Sequence, residues 1–269
     1  MKRSIQSTRR TALALVAATL ASLSAVYAQG AEPSKTADEI MTDVFNRPQP
    51  ESITSELSMV LTDSRGRERT RRLKQISATY SGVDKKIMEF AEPADVRGTS
   101  FMNWSYGDGS RSDDQWIYLP ALKRVRRISS DGKGDSFMGS DFSYDDLAER
   151  HPQKDSHAII GTENIDGESC WIIESVSRDS GESYSKTISW ISKQRLMGLK
   201  REYYDTSGKL LKVLTVKETR EVAGYLMITH TEMRNVQKNH RTEMKFGSIT
   251  ADSAIPEDSF TERTLARGL

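Results

Sequence analysis

The sequence predicts a mainly β protein built on one strongly curved antiparallel sheet or barrel, with an amphipathic helix near its N-terminus. Three observations carry that expectation. From Ser55 onward, short apolar runs recur with a period of two. Turn-forming tetrapeptides separate many of them, and the clearest stretch of helical spacing precedes them all. A sheet of that many short strands tends to curl, because wide flat sheets close, split or coil.

The elements follow in order. Lys2, Arg3, Arg9 and Arg10 form a charged start, Ala12 to Leu23 is apolar, and Val26-Tyr27-Ala28 places small residues before Gln29. This is the layout of a cleaved export signal, and its apolar stretch is shorter than the roughly 20 residues a permanent membrane helix needs. Cleavage is expected after Ala28, releasing residues 29–269 as a single exported domain. Arg9-Arg10 is followed by Thr11 and Ala12, not by the apolar residue typical of twin-arginine signals, so general secretion is the expected route. No Cys follows the cleavage point, and no lipid anchor is expected. Intact-mass measurement of the envelope form should give an N-terminus at Gln29; a chain still beginning at Met1 there would contradict the assignment.

Next, Ala37, Ile40, Met41, Val44 and Phe45 recur at helical spacing, Thr36-x-x-Glu39 reads as a capping box, and Pro48 stops the run. Leu57, Met59 and Leu61 then alternate with Ser58, Val60 and Thr62, and Asp63-Ser64-Arg65-Gly66 reads as a hairpin turn. Further strands are expected at 68–77, 85–90, 100–106, 115–119, 124–128, 157–162, 170–177, 184–191, 198–204, 210–218, 226–233 and 241–246. Turns are expected at 164–167, 205–208 and 222–224. Tyr144 to Arg150 reads as a short helix ended by His151-Pro152.

Charge weighs against one class of partner. The full chain has 39 Lys and Arg against 38 Asp and Glu; four of the basic residues lie in the first 28, so the remaining 241 residues carry 35 against 38, a net charge near −3. Nucleic-acid binding needs a clustered positive field and is disfavoured. Two local basic runs, Arg69-Thr70-Arg71-Arg72 and Lys123-Arg124-Val125-Arg126-Arg127, read either as solvated strand faces or as contacts for anionic head groups or an acidic partner. Cys170, alone in the chain and followed by Trp171-Ile172-Ile173, reads as a core thiol. Enzyme signatures are missing: no Gly-x-Ser-x-Gly elbow, no His-Glu-x-x-His, no P-loop and no dinucleotide fingerprint. No enzymatic activity, cofactor or metal is expected. Asp141, Asp145 and Asp146 lack the spacing of a calcium loop and read as helix N-terminal charge.

The most informative blocks lie between Pro93 and Leu147: Pro93 to Thr99, Asp113 to Leu122, Val125 to Ile128, and Ser136 to Phe142. In that order they resemble the outer membrane lipoprotein-sorting protein family, a branch of the LolA-like periplasmic lipid carriers. The resemblance implies a partial barrel whose concave face is roofed by helices, with a cavity for acyl chains between them. It also implies a lipid or acylated lipoprotein as ligand, exchanged with a membrane partner, either an inner-membrane transporter of the RND permease type or an outer-membrane acceptor. A soluble carrier must hide its ligand's chains from water, since at about 0.8 kcal/mol per methylene an exposed 16-carbon chain costs on the order of 12 kcal/mol.

Residues suited to such a cavity are Phe101, Met102, Trp104, Trp116, Phe137, Met138 and Phe142, with Ile40 and Val44 from the helix. Arg97, between Asp95 and Gly98, is a polar gating residue of this reading. Phe137, Met138 and Phe142 are interleaved with Gly139, Ser140 and Asp141 off any strand period, which suggests a mobile gate. On that reading, Phe137→Ala or Phe142→Ala weakens acyl binding with little loss of stability. Two other readings stand beside the carrier: an envelope sensor or adaptor on the same fold, which binds a lipid or lipoprotein signal and regulates a membrane protein, and a lipid-modifying hydrolase.

Overall fold

In a computed structural model, residues 35–109 and 111–269 are described; the expected leader 1–28 and its cleavage point lie outside them. The first element, α1 (Ala37–Phe45), forms where the sequence places it. Thr36 closes its N-terminus, its hydroxyl accepting from the Glu39 amide at 3.2 Å while the Glu39 carboxylate accepts from the Thr36 amide at 2.8 Å. Such reciprocal capping satisfies two amides that a helix start otherwise leaves unpaired. Ala37, Ile40 and Met41 form the buried face.

Thirteen strands follow: β1 (Ser52–Thr62), β2 (Glu68–Tyr80), β3 (Val83–Glu92), β4 (Ser100–Tyr106), β5 (Asp114–Leu119), β6 (Arg124–Arg127), β7 (Asp155–Ile165), β8 (Glu168–Ser177), β9 (Lys186–Ser192), β10 (Met197–Tyr204), β11 (Leu210–Val222), β12 (Tyr225–Asn235) and β13 (His240–Ala251). They make one open antiparallel sheet in the order β6-β5-β4-β3-β2-β1-β13-β12-β11-β10-β9-β8-β7. The chain starts in the middle of the sheet at β1 and meanders outward to the edge β6. It then crosses to the far edge β7 and meanders back until β13 pairs with β1. The crossing, a strap across the sheet, is made by residues 128–154, which form no strand of it. Connections longer than about 12–15 residues are uncommon inside a domain and tend to serve function.

Register separates the two faces. Leu57 lies opposite Leu73, Leu73 opposite Phe90, Met88 opposite Phe101, and Phe101 opposite Ile117, all on one face. The same face continues through Met59 opposite Met244, Met233 opposite Leu214, and Lys212 opposite Tyr203. This inner face is covered by the strap over β1–β4 and by α1 over β8 and β9, where Ile40 and Met41 pack on Ile173 and Ile191. The outer face carries Ile87 opposite Met102 and Met102 opposite Trp116.

Two differences from the sequence reading have physical causes. The expected helix at 144–150 is a single 3-10 turn, Asp145–Leu147, because the strap turns to meet the sheet rather than propagating a helix. A C-terminal helix not foreseen from the sequence, α2 (Glu262–Arg267), is capped by Thr261 and packs on the outer face, with Phe260 and Leu265 against Ile87, Met102, Trp104 and Trp116. At 6 residues it is too short to announce itself by periodicity. The helical cover is therefore divided between the two faces.

Candidate functional site

The strap is held down mainly by side chains of the sheet that donate to its backbone. Arg71 reaches the Met138 carbonyl at 2.6 Å, Gln115 the Tyr144 carbonyl at 2.9 Å, Lys86 the Leu147 carbonyl at 2.9 Å, and Lys212 the Asp141 carbonyl at 3.1 Å. Burial pulls the Lys86 ammonium below its ordinary range, opposed by the nearby Glu149, Asp113 and Asp84 charges. At the tip of the strap, Met138 and Gly139 both take left-handed backbone, with φ of 51° and 78°. Glycine enters that region freely, whereas Met138 is held there by its surroundings.

Beneath the strap lies a knot of buried polar groups. Lys212 pairs with Asp146, and their side chains are only 4% and 3% exposed. Asp146 also accepts from the Tyr184 hydroxyl at 3.0 Å and the Ser143 amide at 2.6 Å. Lys212 sits 5.0 Å from the ring centres of both Tyr184 and Tyr203, close enough for cation–π attraction. Burial, reinforced by the adjacent Asp146 charge, holds the Tyr184 phenol neutral far above its usual range. Asp141 makes the second anchor: its carboxylate meets Thr242 and His240, each at 2.7 Å, and its amide donates to the Thr242 hydroxyl at 3.0 Å. Asp141 and Asp146 are thus strap anchors turned toward different strands, which replaces the helix-terminus account. Among the described residues no group of His, Cys, Asp and Glu is arranged to hold a metal.

Beside this knot opens a cleft of about 690 Å³, within the range of small-molecule sites. Met41, Val44 and Phe45 of α1 form one wall, Asp145, Glu149, Arg150, Pro152 and Lys154 of the strap another, and Ser175, Thr187, Arg201 and Tyr203 the floor. The lining is mixed: apolar groups from α1 and Pro152 face Asp145, Glu182, Arg150 and Lys186. Burial, with Glu182 nearby, raises the Asp145 carboxyl above the normal carboxylate range. Arg150 is fixed by the Asp155 carboxylate at 2.7 Å and 2.9 Å and by the Ser177 hydroxyl at 3.0 Å.

The residues singled out from the sequence fall into three places. Phe101, Phe137 and Phe142 are buried together in the inner core, with the Phe137 ring centre 5.6 Å from that of Phe90 in a tilted contact and 5.5 Å and 5.6 Å from those of Phe101 and Tyr144 in edge contacts. Met138 is half-buried against the same core. Val44 lines the cleft, while Ile40 is fully buried behind it. Met102, Trp104 and Trp116 lie on the outer face under α2, so adjacent Phe101 and Met102 point to opposite sides of the sheet. Arg97 is exposed and its Nε donates to the Ala91 carbonyl at the end of β3 at 3.1 Å. With no exposed surface on Phe137, its loss is now expected to cost substantial stability.

The sequence reading passed over Lys212, Tyr184, Tyr203 and Arg201. Lys212 did leave a signal, being a charge in register with Leu214 on the buried side of β11.

Known proteins share this geometry. A family model described only as that of an uncharacterized protein matches residues 82–267. No curated protein matches. A domain from Vibrio parahaemolyticus, designated for outer membrane lipoprotein sorting, is 32% identical over 86% of this chain and 98% of its own, with a TM-score of 0.81. A DUF1329 family protein from Desulfovibrio piger is 27% identical over 85% of this chain and 97% of its own, also with a TM-score of 0.81. A LolA superfamily protein from Nitrosomonas europaea, 19% identical, covers 86% of this chain and 100% of its own with a TM-score of 0.68, and speaks for the fold alone.

Proposed function

The chain belongs to the outer membrane lipoprotein-sorting protein family, of LolA-like fold, and from that premise we propose that it is a periplasmic carrier for a lipid or acylated lipoprotein. In this reading it exchanges the ligand with a membrane partner, either an RND-type permease or an outer-membrane acceptor. The observation that carries it is the strap. Its Phe137, Phe142, Tyr144 and Leu147 fill the apolar inner face, yet it forms no strand of the sheet and is tethered largely by side chains. Such a segment can lift as a unit and surrender to an acyl chain the apolar surface it covers. Each methylene so buried recovers about 0.8 kcal/mol. The cleft beside α1, with charged and apolar walls together, suits the boundary between a polar head and its chains.

The fold's work in this reading is binding, with no bond made or broken. The sensor alternative binds the same ligand and differs only in passing a signal to a membrane protein instead of delivering the lipid, and no observation on the site favours it. A fluorescent fatty-acyl probe should bind the delipidated, folded protein with saturation and be displaced by envelope lipid extract. Absence of saturable binding would remove the carrier reading.

A further inference from the structure

One end of the sheet gathers cations that the carrier reading leaves unused. After β5 the chain makes a 3-10 turn, Pro120–Leu122, closed by Lys123 with a φ of 46°. This turn leaves Leu122 60% exposed, the largest exposure of a large apolar side chain among the described residues. Arg124 and Arg126 follow on the edge strand β6, both exposed. The β3–β4 turn lies against the same corner, since a Cβ on Gly98 would stand 3.3 Å from the Pro120 ring, and it brings the exposed Arg97. Arg69, also exposed, starts β2 at the same end, because Arg72 lies opposite Glu92 at the end of β3. None of Arg69, Arg97, Lys123, Arg124 and Arg126 makes an ion pair among the described residues, whereas Arg72 and Arg127 are paired with Glu92 and Asp114. Asp95, on the turn with Arg97, is an exposed acid that makes no ion pair among the described residues.

A protein partner of standard size needs roughly 800 Å² of complementary surface on each side, and a single leucine on a convex turn is a poor core for that. A bilayer asks for less: an apolar tip to enter the head-group boundary, and cations around it to meet lipid phosphates. We propose that the corner formed by the Pro120–Leu122 turn, edge strand β6 and the β3–β4 turn docks the protein on an anionic phospholipid surface, with Leu122 inserted and the flanking Arg and Lys side chains on the phosphates. The cleft receives Asp113 from just before β5, so it lies toward the opposite end of that strand from Leu122 and stays open to solvent during docking. The inference goes beyond the carrier reading by naming the surface that meets a membrane, and it does not need that reading to hold.

Vesicle flotation of the mature protein tests it, with phosphatidylglycerol–phosphatidylethanolamine vesicles against purely zwitterionic ones. Each cation near an anionic surface is worth roughly fivefold in binding. The protein should therefore float at least tenfold more with the anionic vesicles, and high salt should release it. Arg124→Glu combined with Arg126→Glu should lose at least tenfold, and Leu122→Ser severalfold, with thermal midpoints unchanged. Equal binding to both vesicle types, or flotation untouched by the double charge reversal, overturns the proposal, as does a requirement for an added envelope protein. Acyl-probe binding measured without vesicles reports the carrier reading separately: both variants should keep it.

Discussion

Replacing Lys212 by Met should lower stability by about 3–5 kcal/mol, because it leaves the Asp146 carboxylate buried without its counter-charge. At this chain length that is a fall in thermal midpoint of roughly 6–20 °C. Asp146→Asn should cost a comparable amount for the mirror-image reason, stranding an ammonium that is 4% exposed. The double variant should lose much less than the two single losses combined, since methionine and a neutral amide leave no naked charge in the knot. The tether predicts a second readout. Lys212 also donates to the Asp141 carbonyl, so limited proteolysis of Lys212→Met should cut first within residues 128–154. A single variant within about 1 kcal/mol of the wild type would mean that the pair is solvated and does not hold the strap.

This polar knot also shows what the sequence could and could not disclose. Strand positions were legible because alternation is local: Leu57, Met59 and Leu61 mark β1 wherever that strand ends up. The helix α1 was legible for the same reason, its cap and stop lying within a few residues of its apolar face. The faces were harder. Phe101 and Met102 look equivalent in sequence, and only the register of β4 against β3 and β5 sends one under the strap and the other under α2. The knot is more remote still. Its members Asp146, Tyr184, Lys212 and the neighbouring Tyr203 come from the strap, the chain before β9, and two paired strands, and no short-range pattern joins them. The strap was visible as a stretch without strand period, but its role depends on the crossing from β6 to β7, which is a property of strand order alone.

The strap's aromatic filling gives the sharpest functional consequence. Phe137 has no exposed surface and touches the rings of Phe90, Phe101 and Tyr144. Phe137→Ala should therefore cost about 3–5 kcal/mol, a drop of roughly 6–20 °C, where the sequence alone suggested a small one. The expected effect on binding changes sign as well. If an acyl chain takes the place of the strap, apparent affinity is the intrinsic affinity scaled by the fraction of molecules with the strap lifted. Weakening the closed strap raises that fraction, so the acyl probe should bind Phe137→Ala at least tenfold more tightly than wild type. The control is Ile87→Ala. That residue is 1% exposed in the outer core under α2, so its removal loosens the fold by a comparable amount on the face the ligand does not use. Tighter binding by Phe137→Ala with no gain in Ile87→Ala supports strap displacement. An equal gain in both would mean that general loosening admits the probe, and weaker binding by Phe137→Ala would mean that Phe137 is part of the wall the ligand touches rather than the plug it displaces.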